Sequence, residues 1–171
     1  MIVYIPIRST EVIDERVNKA LMAQSIESEI VLVETSPVSN CKRKGEFEGR
    51  DKIKSLASAI KDEYVTCNDS DSVHLFTDNL SLMKDYLEKN LSVGVVALWG
   101  HKNKAFQYPQ NRHITLACTM WRREVLANIC SLDFEGSDYK GCCCQRYKDS
   151  VIAQGYEMRY LDGMVRIKEI A

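Results

Sequence analysis

Asp69-Ser70-Asp71 is the segment of this chain best suited to chemistry. Its two carboxylates stand two residues apart, and the compact β-prone run Glu63-Tyr64-Val65-Thr66-Cys67-Asn68 leads straight into them. A hard divalent cation such as Mg²⁺ or Mn²⁺ prefers oxygen ligands and leaves positions open for phosphate. In α/β proteins, ligands bind outside the carboxyl ends of the strands. A strand that ends in two acids therefore offers a metal handle where a diphosphate would sit. Acidic pairs at the same spacing occur at Glu27/Glu29, Glu46/Glu48 and Asp133/Glu135, but only Asp69/Asp71 directly follows such a run. Asn, Asp and Ser are also favoured in turns, so the pattern alone leaves a plain turn and a metal site both open.

The elements that must position these acids alternate. Residues 2 to 7 are apolar and β-branched, interrupted by Pro6, and read as a first strand. A helical stripe follows over 11 to 25 (Val12, Ile13, Val17, Ala20, Leu21, Gln24), with Thr10 as its expected cap. Residues 29 to 34 read as a strand covered on both faces. Pro37, Asn40, Gly45 and Gly49 mark 35 to 49 as a long loop. A second helix is expected over 50 to 61, the acidic strand at 63 to 68, a third helix around Leu80, Met83, Tyr86 and Leu87, and a buried strand at 92 to 99. Further on, the sequence predicts a loop at 100 to 111, a strand at 113 to 118 and a helix at 119 to 129. A last helix near 140 to 154 leads to Gly155 and two short strands joined by Asp162-Gly163. Alternating strands and helices predict an α/β fold, a mostly parallel sheet with helices on both faces. Nothing marks a second core, so 1 to 171 reads as a single domain.

Composition excludes several classes of function. The formal net charge of −1 gives no broad nucleic-acid footprint. The basic cluster Cys41-Lys42-Arg43-Lys44 reads as a solvated loop. No run is long and apolar enough to span a membrane, and Met1–Ile7 is too short for a signal peptide. Seven cysteines, an odd number without a leader, argue for a reducing, cytoplasmic compartment over a disulfide framework. No Cys-x-x-Cys pair exists, and Cys142-Cys143-Cys144 cannot converge on one ion from a regular helix. Cys67, Cys118 and Cys130 read as small buried apolar residues.

The order of the pieces resembles a compact nucleotide-sugar glycosyltransferase of the GT-A (Rossmann-like) fold, family-2 type. Ile5-Pro6-Ile7 is similar to that family's opening strand, and Glu34 stands where the family carries an acid near the nucleotide base. Gly49-Arg50-Asp51, then Glu63-Tyr64-Val65, then Asp69-Ser70-Asp71 resemble its Arg-led helix, strand and Asp-x-Asp (DXD) element. Met120-Trp121-Arg122-Arg123-Glu124-Val125-Leu126 looks like its Arg-Arg-Glu helix start. Leu132-Asp133-Phe134-Glu135 and Gln154-Gly155-Tyr156 look like its acidic turn and the Gly-Tyr that closes the next helix.

That resemblance implies an enzyme moving a sugar from a UDP- or GDP-sugar to an unknown hydroxyl acceptor, through an inverting mechanism. Asp71 would hold manganese or magnesium, with Asp69 assisting or contacting the ribose. Ile5, Pro6, Ile7, Arg8, Glu34, Arg50, Asp69 and Ser70 would line the nucleotide site. The family's usual general base falls on Cys142-Cys143-Cys144, so the role passes to Asp138, in the polar turn Glu135-Gly136-Ser137-Asp138; His74 and His113 are further candidates. Lys168 and Glu169 stand where the family often adds a His ligand. Trp99 to Trp121 offers aromatic walls or core packing. The chain is short for the family, which suggests a partner or homodimer. The alternative is a catalytically degenerate nucleotide-sugar or glycan binding module, favoured by the cysteine run. Nucleotidyl transfer ranks third, because Ile7-Arg8-Ser9-Thr10 has no glycine for a phosphate loop.

Overall fold

A computed structural model describes residues 1–8, 11–35, 42–100, 117–129 and 143–170. The chain runs β1 (Ile2–Arg8), α1 (Glu15–Met22), β2 (Glu29–Thr35), α2 (Lys42–Ala59), β3 (Tyr64–Asn68), β4 (Ser72–His74), α3 (Asn79–Lys89), β5 (Val93–Gly100), β6 (Cys118–Arg122), α4 (Arg123–Ala127), α5 (Cys143–Ala153) and β7 (Glu157–Glu169). The strands form one sheet in the order β2-β1-β3-β6-β5-β7-β4. β1, β2, β3, β5 and β7 share a direction, while β6 and the short β4 oppose it. The sheet is mostly parallel, as the alternation of elements predicts.

Side chains alternate across the sheet with the strand period of two. Val3, Ile5 and Ile7 of β1, with Val96 and Leu98 of β5, pack on Val17 and Leu21 of α1 and on Leu80, Met83 and Leu87 of α3. Tyr4, Val65, Cys67, Val95 and Trp121 face the other way, onto Ile53 and Ala57 of α2, Val125 and Leu126 of α4, and Tyr147 and Val151 of α5. Trp121 and Tyr147 meet edge to face, ring centroids 5.9 Å apart. Helices therefore cover both faces. Pro6 is tolerated in an interior strand because the pairing of β1 with β3 ends at Tyr4↔Cys67. Its missing N–H falls where β3 has already turned away.

Several boundaries differ from the sequence reading. α1 begins at Glu15, capped by Asp14, whose carboxylate accepts from Arg16 N at 2.8 Å; the expected cap, Thr10, lies outside the described residues. α2 starts at Lys42, inside the predicted loop. Gly45 and Gly49 are absorbed at a cost of about 1 kcal/mol each, among lysine, arginine and glutamate, which favour helix. Thr119–Arg122 were expected to open a helix but are strand, inserted antiparallel between β3 and β5; ladder pairing overrides helical patterning. β4 was not foreseen. The two expected C-terminal strands are one, with the ladder to β5 shifting register between Ala97↔Tyr160 and Trp99↔Val165, where Asp162-Gly163 sits.

α5 closes as its Gly-Tyr sequence leads one to expect. Gly155 takes φ +84°. Its N–H donates to Ile152 O at 2.9 Å, and Tyr156 N–H donates to Val151 O at 3.1 Å, a Schellman closure that satisfies two otherwise orphaned carbonyls. Tyr156 then packs over Gly94 of β5, where an added Cβ would lie 2.9 Å from Tyr156 Cβ. Gly155→Ala should lower unfolding free energy by about 1 kcal/mol, the usual penalty for an L-residue held left-handed, read as a lower urea midpoint at unchanged slope.

Candidate functional site

The shared direction of β1, β2, β3 and β5 brings their carboxyl ends to one edge, and β6 starts there, with Cys118 opposite Asn68. β1 and β2 stay paired to Arg8↔Thr35, and the Thr35 hydroxyl donates to Ile7 O at 3.1 Å. β3 stops earlier. It leaves the sheet through Asp69, whose N–H donates to Ala117 O at 2.7 Å, and turns back at Ser72, whose N–H donates to Asp69 O at 3.1 Å. Asp69 and Ser70 are half-buried and Asp71 is exposed. The end of β7 folds onto this turn: Ile170 N–H donates to Asp71 O at 2.7 Å, and Lys168, opposite Val73, is exposed.

The other expected residues divide. Ile5 and Ile7 point into the core, so only their backbone is available to a ligand. Pro6 is half-buried, on the opposite side of the strand. Glu34 is exposed at the end of β2, and its carbonyl accepts from Lys52 Nζ at 2.7 Å. That bond ties α2 to the end of β2 and puts Lys52, which the sequence reading did not single out, at the carboxyl edge. Its signal was there, two residues after Arg50. Arg8 ends β1; its side chain, like that of Arg50, lies outside the described residues. So do Asp138 and His113 as a whole.

A buried polar cluster lies beneath the acidic turn. Asn68 is fully buried, and its Nδ2 donates to Asp69 O at 2.9 Å and Ser72 O at 3.0 Å. His74 Nε2 lies 3.2 Å from Asn68 Oδ1 and its Nδ1 lies 3.0 Å from Asn79 Nδ2. Asn79 also donates to Arg166 O at 3.1 Å and accepts from Arg166 Nη1 at 3.1 Å. Arg166 pairs with Asp78 at 3.2 Å and lies over the Phe76 ring. Burial lowers the His74 pKa to about 4. Burial, then the Asp69 carboxylate, raises that of the neighbouring Cys118 thiol, which stays protonated and unreactive.

No protein-family model matches the sequence, and no curated protein matches it. Solved structures do. A mannosyltransferase from Pyrobaculum calidifontis, in complex with GDP-Man and Mn²⁺, superposes with TM-score 0.69 at 13% identity, over 98% of this chain and 56% of that one. Glucosyl-3-phosphoglycerate synthase from Mycobacterium tuberculosis, with Mn²⁺, UDP and phosphoglyceric acid, gives 0.62 at 10% identity, over 99% and 70%. A CMP:2-keto-3-deoxy-manno-octonic acid synthetase with CTP gives 0.56 at 11%, over 94% and 88%. The fold is GT-A-like. The chain spans little more than half of the mannosyltransferase, and at these identities the likeness is one of fold.

Within this GT-A-like sheet the structure decides two readings that the sequence left open. Trp121 is a core residue, 1% exposed, and supplies no wall to a ligand; the side chain of Trp99 lies outside the description. His74 is 6% exposed and hydrogen-bonded at both nitrogens, so it is not poised to deprotonate an acceptor. Among the described residues no helix is long and apolar enough to cross a membrane.

The His74 environment makes stability depend on pH. The unfolded chain binds its proton near pH 6.5 and the folded one only near 4. Stability is therefore full above about pH 6.5 and falls as pH drops toward 4, by about 3 kcal/mol in all. Of the other charged groups here, Arg166 and Asp78 pair with each other, and the Asp69 carboxylate acts on Cys118, which lies 3.6 Å from His74 Nε2. Urea midpoints at pH 7.5 and 5.0 should separate clearly in the wild type and much less in His74→Gln.

Proposed function

We propose that this chain is a metal-dependent glycosyltransferase that moves a sugar from a nucleoside-diphosphate sugar to an acceptor hydroxyl. The observation that carries the reading is the Asp69–Asp71 turn, set at the carboxyl end of β3 with Asp71 open to solvent, in a sheet whose fold is shared with proteins solved with nucleotides and Mn²⁺. The donor set suits such an ion. Two carboxylates and the Ser70 hydroxyl are hard oxygen donors, and the Ser72 hydroxyl beneath them is buried without a hydrogen-bond partner among the described residues. No group of three protein ligands converges among the described residues. Mg²⁺ and Mn²⁺ sites of this class use one or two carboxylates and complete their shell with phosphate and water.

Asp71 would hold the ion and Asp69 would assist. Once bound, the cation would neutralise the charge that grows on the diphosphate leaving group. Glu34, exposed at the end of β2, would accept hydrogen bonds from base or ribose, Lys52 brings positive charge to the same edge, and Arg50 is our assignment for a phosphate partner. In the inverting reaction the acceptor oxygen attacks the anomeric carbon, the bond from that carbon to the diphosphate oxygen breaks, and the acceptor proton passes to a base. Asp138 is our assignment for that base. We further propose that residues 1–171 act as one domain in the cytoplasm, alone or as a homodimer.

A second reading, a binding module without turnover, is favoured by Cys142-Cys143-Cys144 where an acid is expected. Product formation from donor and acceptor separates the two. Calorimetric titration with UDP, GDP and their sugars tests the site itself. Binding should require Mn²⁺ and vanish with EDTA. Asp71→Ala should weaken it by more than the ~10- to 100-fold typical of losing an outer-sphere partner, without lowering the melting temperature. Equal binding by wild type and Asp71→Ala would remove the metal role.

A further inference from the structure

The amides of Asn68 and Asn79 and the His74 imidazole can be oriented in only one way, with Cys118 Sγ a further neighbour of His74 Nε2 at 3.6 Å. Both amide hydrogens of Asn68 go to backbone carbonyls, those of Asp69 and Ser72, which accept only. The amide orientation is thereby fixed, and Asn68 Oδ1 must accept from His74 Nε2–H. At the other end Asn79 Nδ2 is fixed by the Arg166 carbonyl and Asn79 Oδ1 by the Arg166 guanidinium, so Nδ1 of His74 must accept. The imidazole is neutral and carries its proton on Nε2. Asn68 bridges the two ends of the turn, and His74 is what holds Asn68, relaying its position from α3 and β7.

We propose that His74 is a positioning residue for the acidic turn, holding Asn68 so that the Asp69–Asp71 backbone is set before a divalent cation and a nucleoside diphosphate arrive. This rests on the reading of that turn as a cation–diphosphate site. A site held by a locked outer shell loses affinity, not only stability, when that shell is cut. The imidazole does not touch substrate; it acts through the Asn68 amide.

Mn²⁺ titrated in the presence of UDP, and separately of GDP, tests this by calorimetry on wild type, His74→Phe, His74→Gln and Asp71→Ala. His74→Phe keeps bulk but deletes both hydrogen bonds and should weaken binding roughly 10- to 100-fold. His74→Gln retains an N–H donor toward Asn68 and should restore most of it. If Asp71→Ala abolishes binding while His74→Phe binds like wild type, the positioning role is overturned and the site stands. If Asp71→Ala binds like wild type, the site reading has failed instead. A measurement on the unaltered protein covers a His74→Phe chain that does not fold. Long-range ¹H–¹⁵N spectra of the imidazoles, assigned with His101→Gln and His113→Gln, should show His74 as the neutral Nε2–H form at pH 7 and still neutral at pH 5.5. An Nδ1–H tautomer or an imidazolium there would overturn the proposal.

Discussion

β3 is buried along its whole length, between parallel β1 and antiparallel β6, and the last side chain it contributes is an amide where hydrocarbon would be ordinary. An amide without partners in that position costs roughly 2–7 kcal/mol. Asn68 escapes the penalty by taking the carbonyls on either side of the turn, and that choice bends the chain over it. The exposure of Asp71 follows from the burial of Asn68. A side chain that must be satisfied inside leaves Asp71 outside and Asp69 half-buried, at the edge where five parallel strands end.

A second buried polar residue performs a comparable task at the opposite edge. Arg122 is 6% exposed, yet its guanidinium donates to the carbonyls of Leu87, Val93 and Asn90 and lies over the Tyr64 ring. It ties the end of α3 and the start of β5 to β6. The Arg-Arg-Glu segment thus contains a structural clamp, Arg122, and a helix start, Arg123-Glu124, with Glu124 within reach of the Tyr156 hydroxyl.

The parts of the fold legible from sequence were those where local preference and burial agree. Ile2–Ile7, Ile30–Val33, Tyr64–Cys67 and Val93–Leu98 are β-branched, apolar and too short for helices, and all four became strands. The acids at 69 and 71 were legible as a strand-end pair for the same reason. Where the reading strayed, long-range pairing or context decided. Thr119–Arg122 carry no strong strand pattern of their own and are held by β3 and β5. Gly45 and Gly49 read as punctuation but are carried by helix-forming neighbours. Ser72–His74 is too short to announce itself, and it exists because β7 offers it a partner. Asn68, Asn79 and Arg166 left no signal beyond being polar residues beside apolar runs, since a hydrogen-bond network between distant positions is invisible to periodicity.

One feature of this architecture reaches into the biogenesis of the protein. The amide of Ile170 closes on the carbonyl of Asp71, and Arg166 closes on Asn79. The acidic turn is spoken for by the last strand of the sheet. While the ribosome is still making that strand, the turn has its acids but neither of these anchors. Long-separation contacts of this kind form late, so the turn takes its folded shape only after β7 has been made and has docked beside it.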